Sequence, residues 1–212
     1  MAILAGLLGV LIVFFGLLYA LFREEYLQIF SRPKAFNYAG AVLALLLCYE
    51  LGIRHLIGRW LRQGRSVPSA LRYLNAFVET SVPSILIVLV AREIKPEYVL
   101  QSASSLLYAV FIVLSTLRLD FRLCVFTGLV AAVEYVALSF AYLGGGESAA
   151  AGMPFALAPF YLAKGAMLAL AGLAAGFVAH QLKRRVGNAY RTLQERERML
   201  SAFGQQVSPA IA

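Results

Sequence analysis

Long apolar stretches separated by short charged segments dominate the chain. An α-helix of about 20 apolar residues crosses a bilayer core about 30 Å thick. Runs of this kind predict six transmembrane helices, at about 2–22, 35–57, 73–91, 98–117, 121–143 and 155–181. The expected fold class is therefore all-α, with a polytopic six-helix membrane domain over residues 1–181.

Basic residues are concentrated in every second segment between the apolar runs. Short cytoplasmic segments carry the excess of Lys and Arg in membrane proteins, so this pattern predicts that both termini are cytoplasmic. The segments that carry the signal follow the second, fourth and sixth spans and contain Arg54, Arg59, Arg62, Arg65 and Arg72, then Arg118 and Arg122, then Lys183, Arg184 and Arg185. On the opposite side, the segment from Gly144 to Pro154 has no Lys or Arg.

Composition supports a membrane protein. The chain is 61% hydrophobic and 14% charged, with a mean hydropathy of +0.76. The net charge of +8 is carried largely beside apolar runs, which indicates anionic lipid headgroups and not nucleic acid as the partner. Cys48 and Cys124 both fall inside apolar runs, so neither a disulfide nor a metal site is indicated. No catalytic, metal-binding or cofactor-binding residues are predicted in this chain.

After the sixth span, apolar residues recur at alternating steps of four and three, which is the heptad pattern of a coiled coil. We call this set of positions the seam. Its cytoplasmic part is Leu182, Val186, Ala189, Leu193, Leu200 and Phe203, and the same heptad count runs back into the membrane through Gly165, Leu168, Gly172, Ala175 and Ala179. The pattern predicts a cytoplasmic signalling helix over 182–203 and a parallel homodimer along the sixth helix.

Two features of the seam leave alternatives open. Small residues allow close helix approach in lipid, but Gly165 and Gly172 could equally pack against neighbouring helices of the same chain. Arg196 occupies a core position, where a charge either fixes coiled-coil register or reaches out to solvent. Downstream, Gly204 suits a helix C-cap, and Ser208-Pro209 suits the start of another helix. Residues 204–212 are therefore predicted to be a linker into a further domain.

The last part of the chain resembles a known family. The strings Glu195-Arg-Glu-Arg-Met-Leu200 and Phe203-Gly-Gln-Gln-Val-Ser-Pro209-Ala-Ile resemble the linker that enters the catalytic domain of bacterial class III adenylate and guanylate cyclases, particularly those with a six-helix membrane anchor. The resemblance covers about the last twenty residues, and the anchor agrees with it only in span count and placement.

The resemblance implies a parent enzyme of the bacterial inner membrane that converts ATP to cyclic AMP and pyrophosphate. Such an enzyme uses two metal ions, Mg or Mn, at an active site shared across a catalytic-domain dimer. The family's catalytic residues lie downstream of Ala212, so this chain alone is expected to be a membrane anchor and receptor module without catalytic activity. GTP in place of ATP, a kinase or diguanylate cyclase output, and a small transporter or channel remain alternatives.

Charged residues inside the predicted spans are costly in hydrocarbon and are candidates for function. Glu50 lies four residues before Arg54, so the sequence predicts a local ion pair between them. Glu134 and Lys164 lie at similar depth on the fifth and sixth spans, which predicts an ion pair that acts either as a stimulus-sensitive lock or as a structural bridge. Glu79 precedes Pro83, where a kink could open a polar cavity.

Aromatic residues gather near the outer end of the sixth span, at Phe155, Phe160 and Tyr161. Such a group is typical of the interfacial belt of a membrane protein. The alternative is a binding site for a small lipophilic ligand, located between this group and Glu134.

Overall fold

The computed structural model describes residues 2–21, 34–64, 67–92, 99–100, 103–144 and 154–207. The regular structure in these ranges is helical. The six α-helices are α1 (Ala2–Leu21), α2 (Lys34–Arg62), α3 (Ser69–Val90), α4 (Leu107–Ser115), α5 (Phe121–Gly144) and α6 (Pro154–Val207). Two 3-10 turns, Ala103–Leu106 and Thr116–Arg118, flank α4. The predicted all-α class is thus confirmed for the described part of the chain.

Within the described ranges, four helices are long and apolar enough to cross a membrane. Their membrane-compatible segments are Gly40–Trp60, Ser69–Val90, Phe121–Tyr142 and Ala158–Met199. These correspond to the second, third, fifth and sixth predicted spans. The first and fourth predicted spans are not among them, so the structure confirms four candidate spans of the six predicted.

The fourth predicted span is described in part. Its α-helix has 9 residues, and the flanking 3-10 turns extend the helical segment over Ala103–Arg118. Residues 99–100 are also helical. The backbone carbonyl of Leu100 accepts hydrogen bonds from the Tyr135 hydroxyl (3.3 Å) and the Lys164 ammonium (3.1 Å). Side chains from α5 and α6 therefore hold the segment that precedes α4.

The most extensive helix–helix contact joins α5 and α6. The two backbones touch at Gly128 and Gly172, where a Cβ placed on Gly172 would lie 2.6 Å from the Gly128 Cα. Nearer the start of α5, a Cβ on Gly176 would lie 2.9 Å from the Phe121 ring. Small residues at this spacing permit close packing of helices in lipid. Together α5 and α6 form the main helix pair of the membrane domain.

Apolar side chains fill the space around this helix pair in two groups. The first joins α3, α4, α5 and α6 and includes the fully buried Tyr108, Tyr135 and Tyr161. The second lies among α2, α3 and α4, with Ile12 of α1 packed against it. Helix α3 is continuous across Pro83.

Helix α6 extends far beyond its membrane-facing part. It runs without interruption from Pro154 to Val207, a length of 54 residues, and every side chain from His180 to Met199 is exposed. The helix passes through Gly204 and does not end there, so the predicted C-cap at that residue is wrong. A glycine inside a helix costs only about 1 kcal/mol relative to alanine and does not by itself stop it. The predicted helix start at Ser208 and Pro209 lies outside the described residues.

Candidate functional site

Among the described residues, three groups of buried or half-buried polar side chains lie within the helical bundle. The first, which we call the carboxyl cluster, consists of Glu50, Asn75, Glu79 and Arg118. The Glu79 carboxylate accepts hydrogen bonds from the Asn75 amide and from the Arg118 guanidinium. Its side chain is 7% exposed and that of Arg118 is 18% exposed. The pair links the middle of α3 to the turn that follows α4.

Glu50 belongs to this cluster and does not pair with Arg54 as predicted. Its side chain is 1% exposed and faces the Glu79 carboxyl, with Arg118 within electrostatic reach. No donor among the described residues reaches either Glu50 oxygen. Arg54, in contrast, is exposed. Spacing along one helix predicted a local partner, but the fold turns Glu50 towards α3 and away from Arg54.

The second group, the glutamate–serine cluster, holds the half-buried Glu134. Ser81 and Ser84 of α3 donate hydrogen bonds to the two oxygens of Glu134, the first at 2.6 Å. The Ser84 hydroxyl also lies 2.6 Å from the Tyr108 hydroxyl. A serine hydroxyl has one proton, so when Ser84 donates to Glu134, Tyr108 donates to Ser84. The cluster is a short hydrogen-bonded chain from α4 through α3 to α5.

The third group, the lysine cluster, surrounds the half-buried Lys164 of α6. Its ammonium donates to the Leu100 carbonyl (3.1 Å) and to the Ser105 hydroxyl (2.7 Å), and it lies 4.8 Å from the centre of the Tyr135 ring. These contacts combine hydrogen bonds with a cation–π interaction. Lys164 therefore fastens α6 to the segment that enters α4.

Glu134 and Lys164 have different partners, so the predicted ion pair does not form. The sequence-based prediction compared only the depth of the two residues in the membrane. Whether they touch depends also on which side of its helix each residue lies. Val136 of α5 packs against Gly165 of α6, and Glu134 lies two residues earlier, about 200° around the helix. Glu134 thus faces α3, on the side of α5 that points away from α6.

The seam divides into two parts with different surroundings. Its membrane part is buried in the same chain: Gly165 contacts Val136, Gly172 contacts Gly128, and Leu168, Ala175 and Ala179 are each no more than 8% exposed. Of the part that begins at Leu182, the described side chains are exposed, with Leu182 at 40%, Val186 at 44% and Leu193 at 56%. Packing on α5, and not on a second α6, accounts for the glycines in the membrane.

Two of the three aromatic residues at the start of α6 contact each other, since the rings of Phe160 and Tyr161 stack edge-on with centres 5.5 Å apart. Tyr161 is fully buried and also packs on Tyr135, with ring centres 6.3 Å apart, whereas Phe160 is 54% exposed. The side chain of Phe155 lies outside the described residues. The Tyr161 hydroxyl is buried without a hydrogen-bond partner. Tyr161 is therefore a core residue beside the lysine cluster, and Phe160 has the exposure of an interfacial residue.

Replacement of Lys164 is expected to loosen the contact between α6 and the segment before α4. Lys164→Met removes two hydrogen bonds from buried acceptors, which costs about 1–3 kcal/mol. Thermal unfolding in detergent micelles measures the loss. Lys183→Met on the same helix is the matched control, because Lys183 is exposed. Equal melting temperatures for the two variants would contradict the anchoring role of Lys164.

Within the described ranges, no group of three or more His, Cys, Asp or Glu side chains is placed to hold a metal ion. Cys48 and Cys124 are free thiols. Comparison with known families, with curated proteins and with solved structures yields no match to this chain. Interpretation of the site therefore depends on the sequence and on the contacts described above.

Proposed function

We propose that the chain is the membrane anchor and regulatory module of a class III nucleotide cyclase. In this proposal six helices cross the inner membrane of a bacterium, both termini are cytoplasmic, and two copies pair through the cytoplasmic part of α6. The parent enzyme converts ATP to cyclic AMP and pyrophosphate in a catalytic domain that follows Ala212. The metal ions of that reaction bind in the catalytic domain and not to residues of this chain.

The continuity of α6 is the observation that carries the proposal. One helix includes the buried face that packs on α5 and, without a break, the exposed segment from His180 to Met199. A helix that leaves the bundle with exposed apolar residues at heptad spacing has a natural partner in a second copy of itself. Two copies that leave the same membrane face run parallel, as such a dimer requires.

The position of the first residue of α5 determines where along α6 two copies of the chain can begin to pair. Phe121, its first residue, lies against Gly176 and stacks edge-on against Phe177, with ring centres 5.3 Å apart. Above this level α5 covers the seam, and from Leu182 onward no described part of the same chain does. We therefore place the dimer contact at Leu182 and below, and no longer at the glycines within the membrane.

This placement suggests how the membrane domain could act on the catalytic domains. Any change in the angle between α5 and α6 moves the point at which the two signalling helices meet. Arg118 lies three residues before Phe121 and is bonded to Glu79, so the carboxyl cluster is coupled by short chain segments to the base of α5. A change in that angle is the two-state element that regulation through a coiled coil requires.

The test is a fusion of residues 1–212 to a class III catalytic domain that is active only as a dimer. Leu193→Glu introduces a charge into the proposed contact and is expected to lower cyclic AMP production at least tenfold, which corresponds to about 1.4 kcal/mol of lost pairing. Asn188→Glu adds the same charge to the same exposed segment, outside the seam, and is expected to leave activity within about twofold. Equal activity of both variants would rule out the seam as the dimer contact.

A further inference from the structure

Three buried oxygens of the carboxyl cluster have no hydrogen-bond donor in the part of the chain that the structure describes. They are Oε1 and Oε2 of Glu50 and Oδ1 of Asn75. Glu50 is 1% exposed and Asn75 is 2% exposed, so bulk water does not reach them. Buried polar atoms are nearly always paired, and an unpaired carboxylate is among the most costly groups to bury. The geometry therefore calls for a positively charged or hydrogen-donating species at Glu50.

The charges within the carboxyl cluster also indicate that a positively charged species is needed. The charged groups that face Glu50 among the described residues are Glu79 of α3 and Arg118 beyond α4, and the neighbouring titratable group on α2 is Tyr49. Two carboxylates beside one guanidinium leave one negative charge without compensation. Adjacent carboxyl groups in a buried site do not both ionise, because their repulsion is weakly screened. One added positive charge makes the cluster neutral.

We propose that the carboxyl cluster is a proton-binding site, in which Glu50 is the protonated member and donates a hydrogen bond to the Glu79 carboxylate. A single proton on Glu50 supplies the missing positive charge and a hydrogen-bond donor between the two facing carboxyl groups. The proton is placed on Glu50 because the Asn75 amide and the Arg118 guanidinium already donate to the two Glu79 oxygens, so both of these oxygens act as acceptors.

Because the carboxyl cluster connects several helices, loss of its proton is expected to affect the stability of the bundle. When Glu50 loses the proton, a second carboxylate faces Glu79, and both draw on the one Arg118 guanidinium. Arg118 also donates to the Arg72 carbonyl at 3.4 Å, so it joins α3 to the turn that begins α5. Loss of the proton is therefore expected to weaken the folded bundle as pH rises. The folded state binds the additional proton, and stability falls with increasing pH wherever this holds.

The test compares the full chain with Glu50→Gln and Glu79→Gln in lipid nanodiscs. Glutamine has the shape of the protonated acid, and at position 50 it can donate to Glu79 without a titratable proton. We expect wild-type melting temperature to fall between neutral and alkaline pH, and this fall to be reduced or absent in Glu50→Gln. Glu79→Gln is expected to melt lower than wild type by roughly 5 °C or more at neutral pH, because Arg118 loses its carboxylate.

Infrared spectroscopy gives a second readout that does not depend on the stability of either variant. At neutral pH the wild-type protein is expected to show the carbonyl stretch of a buried protonated carboxyl group, and Glu50→Gln is expected to lack it. Absence of that band in the wild type would overturn the proposal. So would a rise in wild-type melting temperature with sodium at constant ionic strength that Glu50→Gln abolishes, because the site would then bind a monovalent cation.

Discussion

Gly172→Ala is expected to separate α5 from α6 and to destabilise the membrane domain strongly. The new Cβ would lie 2.6 Å from the Cα of Gly128, and this neighbour is backbone, which cannot rotate away as a side chain can. Overpacking usually costs roughly 1–3 kcal/mol, and a backbone collision belongs at or above the upper end of that range. Thermal unfolding in micelles, followed by circular dichroism, measures the loss.

Gly187→Ala is the matched control for this experiment. Gly187 lies on the same helix, and a Cβ placed on it meets nothing within 4 Å. Alanine is a better helix former than glycine, so this variant is expected to be as stable as the wild type or more stable by up to about 1 kcal/mol. If both variants melt alike, Gly172 does not contact Gly128.

Arg118→Met is expected to destabilise the protein about as strongly as Gly172→Ala, because it removes a buried positive charge. It leaves the Glu79 carboxylate buried without its guanidinium, and such a change typically costs about 3–5 kcal/mol. Replacing both Glu79 and Arg118 by methionine removes the ion pair together with the cost of taking its two charges out of water. The double variant is therefore expected to be more stable than Arg118→Met alone. A double-mutant cycle by thermal or denaturant unfolding gives the coupling energy.

The chain contains an exposed ion pair for comparison. Arg72 and Asp120 lie 3.9 Å apart, with side chains 52% and 37% exposed. Exposed pairs contribute less than about 1 kcal/mol because water and salt screen them. Arg72→Met is therefore expected to change stability far less than Arg118→Met. Similar losses for both variants, or additive effects of the Glu79 and Arg118 substitutions, would show that the buried pair is not a distinct interaction.

The helices themselves were largely predictable from hydrophobic patterning. Helices α2, α3 and α5 coincide with predicted spans to within about five residues, and α6 covers the sixth predicted span together with the predicted signalling helix. A long apolar run has few alternatives to a helix in lipid. The first and fourth spans stay predictions, because the structure describes residues 98–117 only in part. The contacts of Lys164 and Tyr135 with the Leu100 carbonyl come from residues more than thirty positions away and leave no local signal in the sequence.

The partners of the polar and small residues were less predictable. Spacing along one helix suggested that Arg54 is the partner of Glu50. Similar depth suggested that Lys164 is the partner of Glu134. Both arguments leave out how each helix is rotated about its own axis in the bundle. The same omission affected Gly165 and Gly172, whose size predicts close packing but not the identity of the neighbour. The alternative of packing within the chain is the one found in the structure. A sequence search for complementary small residues on α5, such as Gly128, could have indicated it.

The exposed half of the seam remains the basis of the functional proposal. Leu182, Val186 and Leu193 keep heptad spacing and are exposed, whereas the half of the seam from Gly165 to Ala179 packs against α5. This division changes the predicted dimer from one continuous axis to a contact that starts at the cytoplasmic face. It also places the carboxyl cluster and the Phe121–Gly176 contact next to the point where pairing begins.

Cysteine crosslinking in native membranes tests this division most directly. In a background in which Cys48 and Cys124 are replaced by alanine, Leu193→Cys is expected to form disulfide-linked dimers on mild oxidation. Ala175→Cys, in the buried half of the seam, is expected to stay monomeric. Dimers through position 175, or none through position 193, would contradict a dimer that begins at Leu182.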